Sequence, residues 1–218
     1  MKRTFEYVMF DLDGTLVDSS QGITKSVAFA LNKRGYGVFA PETLKHFIGP
    51  PLREQFMAFC GVEKAEGGAL VEAYREYYGV TGIFECTLYD GVPEMLDALQ
   101  NAGKTLFVAT SKPEKFARTV LAHFGLTDRF AYIGGACMDN TRTDKCEVIR
   151  YTLENAPHPI SLTKAVMVGD SPHDILGARK AGLAGIAVSY GFGEPDALKK
   201  AEPLVICDSV KQLQQLLS

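Results

Sequence analysis

The 218-residue sequence has no tryptophan and only four histidines, His46, His123, His158 and His173. None stands at ligand spacing from another, so a histidine-built zinc centre is not expected, and all four read as structural or surface residues. Of these, His173 lies nearest to acidic residues of interest. Cysteine is sparse: Cys60, Cys86, Cys137, Cys146 and Cys207 are odd in number, far apart and form no Cys-x-x-Cys. That pattern argues against a disulfide framework and a structural zinc site, and free thiols suit a reducing compartment. No apolar run approaches the 18 residues that a membrane span needs. Met1-Lys2-Arg3 is basic like the start of a secretion signal, yet Glu6 and Asp11 break the apolar stretch that follows, so the expected location is cytoplasmic. Repeats, blocks of like charge and low-complexity tracts are missing too. Charge of either sign is not in excess: Lys+Arg 23 against Asp+Glu 26 gives a net charge of −3. Such a balance sets up no field that would draw a nucleic-acid polymer or a membrane surface.

What is present is ordinary globular material, 46% hydrophobic and 22% charged. The length suits one large domain or one domain with a sizeable insertion. A chain of this size buries roughly 70% of its unfolded surface and needs no metal or disulfide staple to fold. Short apolar runs read as strands at Tyr7-Val8-Met9-Phe10, Thr105-Leu106-Phe107-Val108-Ala109, Ala165-Val166-Met167-Val168, Gly185-Ile186-Ala187-Val188 and Leu204-Val205-Ile206. Runs without alternation suit a parallel sheet covered on both faces. Helices are predicted between them. One runs from Pro93 to about Gln100, one from Pro113 to about Phe124 with Gly125 beyond its end, and one from Pro172 to near Gly182. Asp144 and Glu147 resemble a capping box that opens a further helix near Lys145. Strand and helix in alternation predict an α/β fold, a doubly wound, Rossmann-like parallel sheet.

One stretch breaks the alternation. From Ser19 to Thr87 no strong strand is legible, while apolar residues recur at helical spacing: Ile23, Val27, Ala30 and Leu31; Leu52, Phe56 and Phe59; Leu70, Ala73, Tyr74 and Tyr77. A turn at Phe47-Ile48-Gly49-Pro50-Pro51 separates two of these helices. The expected organisation is an α/β core of residues 1–18 and 88–218, with a helical insertion of residues 19–87 after the first strand.

Ligands of open parallel sheets bind at the carboxyl ends of the strands. Those ends carry the polar residues here: Asp11-Leu12-Asp13-Gly14-Thr15, Thr110-Ser111-Lys112, and Gly169-Asp170 with Asp174 four residues on. Lys145 stands at a predicted helix start between the second and third of these strands. Two unit charges 4 Å apart repel by about 4 kcal/mol at an effective dielectric near 20. Gathered carboxylates therefore require a cation or bound protons. Hard oxygen donors, few in number, suit Mg²⁺, which keeps several waters and accepts phosphate oxygens. The pattern points to a Mg²⁺-bridged phosphate site in which a protein carboxylate is the nucleophile.

Asp11-x-Asp13-Gly14-Thr15, Thr110 at the end of an apolar strand, Lys145, and Gly169-Asp170-x-x-x-Asp174 resemble the four ordered motifs of the haloacid dehalogenase-like hydrolases. The helical insertion resembles that family's small helical cap. Asp90-Gly91-Val92-Pro93 and Thr110-Ser111-Lys112 are most similar to its phosphoglycolate-phosphatase-like members, in which Asn is commoner than Ser at the middle of the second run. The resemblance implies that Asp11 attacks phosphorus to give an aspartyl-phosphate. Asp13 would protonate the leaving alcohol and then activate water. Asp11, the Asp13 carbonyl and Asp170 would hold Mg²⁺, with Asp174 beside them as ligand or support. Thr110 and nearby N–H groups, with Gly14 and Ser111, would bind phosphoryl oxygens. Lys145 would neutralise charge on Asp11 and the transferring group. Lys112 and Arg53 are further candidates for contact with substrate, each also readable as a surface residue. An acid at position 13 is what separates the family's phosphatases and mutases, with their alcohol leaving groups, from its dehalogenases and pumping ATPases.

The partner implied is a small-molecule phosphate ester, with the protein a monomer or homodimer. Phosphoglycolate is the first substrate expectation and a nucleoside 5′-monophosphate the second. A phosphosugar mutase of the β-phosphoglucomutase type would use the same residues. A phospho-receiver module also gathers Asp, Thr or Ser and Lys around Mg²⁺, but has no use for Asp13 or the insertion. A calcium loop starting at Asp11 fails, since its fifth, sixth and twelfth positions are Thr15, Leu16 and Gly22. The aromatic residues Phe56, Phe59, Tyr74, Tyr77 and Tyr78 read as packing within the insertion.

Overall fold

The computed structural model describes residues 4–49, 51–139 and 141–218. Met1, Lys2, Arg3 and Pro50, which enter the sequence reading, lie outside the described residues. The strands are β1 (Tyr7–Phe10), β2 (Val17–Asp18), β3 (Thr87–Leu88), β4 (Thr105–Pro113), β5 (Tyr132–Ala136), β6 (Ala165–Gly169), β7 (Ala184–Val188) and β8 (Ile206–Cys207). The α-helices are α1 (Ser20–Lys33), α2 (Leu52–Cys60), α3 (Lys64–Tyr78), α4 (Val92–Asn101), α5 (Glu114–His123), α6 (Lys145–Glu154), α7 (Pro172–Ala181), α8 (Pro195–Lys200) and α9 (Val210–Leu217). The chain divides into two compact units, one of Met1–Val17 with Leu88–Ser218 and one of Asp18–Thr87. The short strands β2 and β3 form a two-stranded sheet of their own.

The first unit is built on a six-stranded sheet in the order β5-β4-β1-β6-β7-β8. Every pairing in it is parallel. The Rossmann-like α/β reading is therefore what the chain adopts. Met9, Phe107, Ala109 and Met167 from the sheet pack with Val148, Ile149 and Ala178 from α6 and α7 in one buried cluster. Each of the larger side chains among them contributes about 1.5–3 kcal/mol by leaving water.

Register decides where the polar residues emerge. Phe10 pairs with Val108 on one side and with Val168 on the other. The next residues along these strands are Asp11, Ala109-Thr110 and Gly169-Asp170, so all three motifs leave the sheet at one level. Strand order reverses at β1, the crevice where open α/β sheets bind ligands.

The helix signals hold, with shifts of a residue or two at the ends. Helix α7 starts with Pro172 in its first turn and ends at Gly182, whose φ of 85° is left-handed. Ser171 and Asp174 form its capping box. Asp144 caps α6, its side chain accepting from Cys146 N. Three expectations need correction. The second strand runs past Ala109 to Pro113, because Thr110-Ser111-Lys112 continue the extended backbone. The last strand is Ile206–Cys207, since Leu204 lies largely in solvent. Strand β5 was not legible at all; its sequence is Tyr-Ile-Gly-Gly-Ala.

The second unit is helical, as read. Ile23, Val27, Ala30 and Leu31 form the buried face of α1. Leu70, Ala73 and Tyr74 do so in α3, with Tyr78 rather than Tyr77 as the fourth member. In α2 only Phe56 is buried. Phe59 stays 40% exposed and rests edge-on against Phe39 and Phe47. Among the described residues no helix is long and apolar enough to cross a membrane.

Candidate active site

Four segments of the first unit supply the site. Asp11 follows β1 directly and is buried, with its Oδ1 accepting from Leu12 N at 2.7 Å. The Thr110 hydroxyl, at the end of the apolar part of β4, favours the charged form of this carboxylate. Lys145, the first residue of α6, reaches back under the sheet edge. Its Nζ lies 3.1 Å from Asp11 Oδ1 and 2.8 Å from Asp174 Oδ1, and it donates to the Ala109 carbonyl at 3.1 Å. Gly177 on α7 leaves the space for this side chain, since a Cβ there would stand 2.8 Å from Lys145 Cγ.

Asp170, the residue after β6, accepts from Phe192 N at 2.7 Å and has the Thr15 hydroxyl at 3.5 Å. Asp174 is fully buried. Its Oδ2 accepts from Ser171 N at 3.0 Å and Ser171 Oγ at 2.8 Å. Its Oδ1 meets the Lys145 ammonium by charge, without an aligned hydrogen bond. Carboxylate oxygens of Asp11, Asp170 and Asp174 lie within 4.8 Å of one another.

Burial drives the electrostatics. It raises the Asp11 pKa from 3.8 to about 6, with Lys145 pulling it down and Asp174 pushing it up. Burial, then the charges of Asp174 and Asp11, raises Asp170 to about 8. For Lys145 burial disfavours the charged form, but Asp11 and Asp174 outweigh it and hold the ammonium above its ordinary value. One ammonium thus pairs with two of three mutually repelling carboxylates. The hard oxygen donors and the leftover negative charge fit Mg²⁺.

Asp13 is half-buried and turned to another partner. Lys112 Nζ lies 2.9 Å from its Oδ1 and 2.7 Å from its Oδ2. Lys112 is therefore not a solvent-facing residue; its side chain is only 5% exposed. Ser111, beside it, is exposed. Gly14 has a φ of 79°, and a Cβ there would lie 2.1 Å from Asp170 Oδ2. Arg53 belongs to the other unit, on α2, and makes a 3.5 Å contact with Glu54. Among the histidines, His173 makes no ion pair within the acidic cluster among the described residues.

The sequence reading missed the loop after β7, Ser189-Tyr190-Gly191-Phe192-Gly193. Phe192 N holds Asp170, and the Tyr190 hydroxyl donates to the Thr15 carbonyl at 3.0 Å. A Cβ on Gly191 would stand 2.2 Å from the Gly14 carbonyl oxygen, and one on Gly193 1.8 Å from that of Asp170. The available signal was Gly-x-Gly, separated by two residues from an apolar strand, a pattern that lets backbone approach backbone.

Buried carboxylates and a lysine at the switch point of a parallel α/β sheet define a phosphoryl-handling site of the strand-end type. The family model described as haloacid dehalogenase-like hydrolase matches residues 8–188. The chain belongs to that family. It is 44% identical to a 5′-nucleotidase of Pseudomonas aeruginosa, over 96% of this chain and 94% of that protein. A phosphoglycolate phosphatase of Vibrio vulnificus is 31% identical over 97% and 96% of the two chains. A solved structure described as a predicted phosphatase from Clostridium acetobutylicum superposes with a TM-score of 0.90, at 40% identity and 97% of each chain. That of protein tyrosine kinase A from Mycobacterium tuberculosis gives 0.84, at 36% identity and 99% of each chain.

Proposed function

We propose that this protein hydrolyses small phosphomonoesters through an aspartyl-phosphate on Asp11, with Mg²⁺ as cofactor. The observation that carries the reading is Asp11 itself: a buried carboxylate paired with Lys145 at 3.1 Å, with a second acid, Asp13, two residues on. Asp11 and Asp170, with the Asp13 carbonyl, would hold the ion, which supplies charge neutralisation for the transferring phosphoryl group. Asp174 stands beside them as ligand or support: its Oδ2 accepts from Ser171, and its Oδ1 faces the Lys145 ammonium without a hydrogen bond.

In the first step an Asp11 oxygen bonds to phosphorus while the ester P–O bond breaks, and the leaving oxygen takes a proton from Asp13. In the second, water gives a proton to Asp13 as its oxygen bonds to phosphorus and the Asp11–phosphorus bond breaks. Lys145 offsets charge on Asp11 throughout, and the Thr110 hydroxyl with nearby N–H groups orients the phosphoryl oxygens. Gly14 and Ser111 line the same strand ends. The helical unit takes the part of the family's cap, screening leaving groups, with Arg53 as one of its candidate contacts. A nucleoside 5′-monophosphate now leads phosphoglycolate as the substrate, following the more similar named relative. The proposed setting is a cytoplasmic monomer or homodimer.

Phosphate release from a panel of phosphorylated metabolites with Mg²⁺ tests the reading. Nucleoside monophosphates and phosphoglycolate should be among the substrates. Asp11→Asn should abolish turnover, and Asp13→Asn should leave a slow enzyme with a phosphoryl group detectable on Asp11 by mass spectrometry. Substantial turnover by purified Asp11→Asn removes it from the nucleophile role. Isomerised sugar phosphate in place of free phosphate would mark a mutase, and transfer to a tyrosine hydroxyl a kinase.

A further inference from the structure

We propose that Lys112 is the positioning residue of Asp13, fixing its carboxylate for proton transfer; this rests on the acid–base reading of Asp13 given above. The ammonium contacts both carboxylate oxygens, at 2.9 and 2.7 Å. The pair is asymmetric: the lysine side chain is 5% exposed and that of the aspartate 23%. Burying a lysine sacrifices its hydration and its rotamer freedom, and a local partner must offset both.

The backbone is shaped to deliver this side chain. Pairing of β4 with β5 is regular to Thr110 and shifts before Pro113, so Lys112 sits in the irregular step. Such irregularities re-aim side chains beside sites. Lys112 N donates to Thr110 Oγ1 at 3.2 Å, and α5 begins two residues later at Glu114. The residue is thus pinned on both sides, and its stem is directed towards β1 rather than to solvent.

Labour is divided between two lysines. Lys145 is committed to Asp11, Asp174 and the Ala109 carbonyl. Lys112 holds Asp13. A half-exposed aspartate without such a clamp would sample rotamers that take it away from the leaving oxygen, and proton transfer demands hydrogen-bond reach. An alkoxide leaving group needs that proton as its P–O bond breaks, whereas a nitrophenolate leaves with little help.

The experiment compares ethyl phosphate with p-nitrophenyl phosphate for wild type, Lys112→Met, Lys112→Arg and Asp13→Asn, with thermal unfolding to verify the fold. Lys112→Met should lose on the order of tenfold more kcat/KM, which reads the step that expels the leaving group, on the alkyl than on the aryl ester, within the usual range for a general acid. Lys112→Arg should recover part of the loss. An equal loss of kcat/KM on both esters overturns the proposal. If Asp13→Asn is itself indifferent to the leaving group, the acid–base reading falls and takes the proposal with it. If Asp13→Asn discriminates and Lys112→Met does not, only the role of Lys112 falls. Should Lys112→Met fail to fold, Lys112→Gln takes its place in the same comparison.

Discussion

Replacing Lys145 by methionine would strand Asp11 and Asp174 beside each other with their shared cation gone. Lys145 is 3% exposed and Asp174 is 0% exposed, so water cannot take over the solvation of either charge. Breaking a buried ion pair from one side costs about 3–5 kcal/mol. The carboxylates can escape part of this by binding protons, because burial already raises Asp11 to about 6. The loss should therefore be smaller at pH 5 than at pH 8. Urea unfolding of Lys145→Met against wild type, without divalent metal, checks this; a pH-independent difference would mean that the ammonium does not balance these carboxylates. At this scale the sequence was informative. Asp11, Lys145 and Asp170 each stand at an element boundary, Asp174 lies in the first turn of α7, and Asp13 and Thr110 lie where an apolar run gives way to polar residues; such abrupt changes are legible in a sequence. The partner of Lys112 was hidden, because contact across 99 residues depends on strand register and on the irregular step in β4.

Among the elements, the contrast between β5 and its neighbours explains what sequence patterns can carry. β1 and β6 are runs of apolar side chains and read directly as strands. In β5 two glycines dilute the run, yet packing requires them: a Cβ on Gly134 would stand 2.1 Å from Thr152 Oγ1, and one on Gly135 2.6 Å from Glu114 Cα. Helices α5 and α6 come too close to the edge of the sheet for side chains there, and that closeness is a tertiary fact. The loop after β7 escaped notice for the same reason. Its glycines serve backbone-to-backbone contact with segments that lie up to 177 positions away in the chain, at Gly14. Gly191→Ala tests the role of this loop. The new methyl group would press on the Gly14 carbonyl and on Asp170 Cβ, neither of which can swing aside. The loop must lift, and Asp170 loses its 2.7 Å bond from Phe192 N. Outer-sphere losses of this kind weaken metal binding about 10–100-fold. Calorimetric titration with Mg²⁺ should show a drop in that range while far-ultraviolet circular dichroism stays unchanged. Unaltered affinity would separate the loop from the metal site.

For the molecule as a whole, the acidic cluster makes stability a function of pH and of metal together. Asp11 and Asp170 have an ordinary pKa of 3.8, raised by burial to about 6 and about 8 in the folded chain. A carboxyl whose pKa rises on folding stabilises the folded state below its unfolded pKa, and that contribution disappears as pH climbs through the folded value. Without metal, these two groups therefore favour the native protein near pH 4 and progressively less to about pH 8. Mg²⁺ bound at this cluster would reverse the sign of the problem, because it would bind the ionised carboxylates and displace their protons. Its affinity should grow across the same interval, and so should the stabilisation it confers by binding only the folded state. Lys145 stays charged across this range and does not mask the trend. Thermal unfolding with saturating Mg²⁺ and with chelator should differ little at pH 5 and by several degrees at pH 8.5. Asp170→Asn should abolish that difference, and in chelator at pH 8.5 it should unfold at a higher temperature than wild type, having no buried charge to accommodate there. A magnesium effect that is constant with pH, or one that survives in Asp170→Asn, would place the ion somewhere other than this cluster.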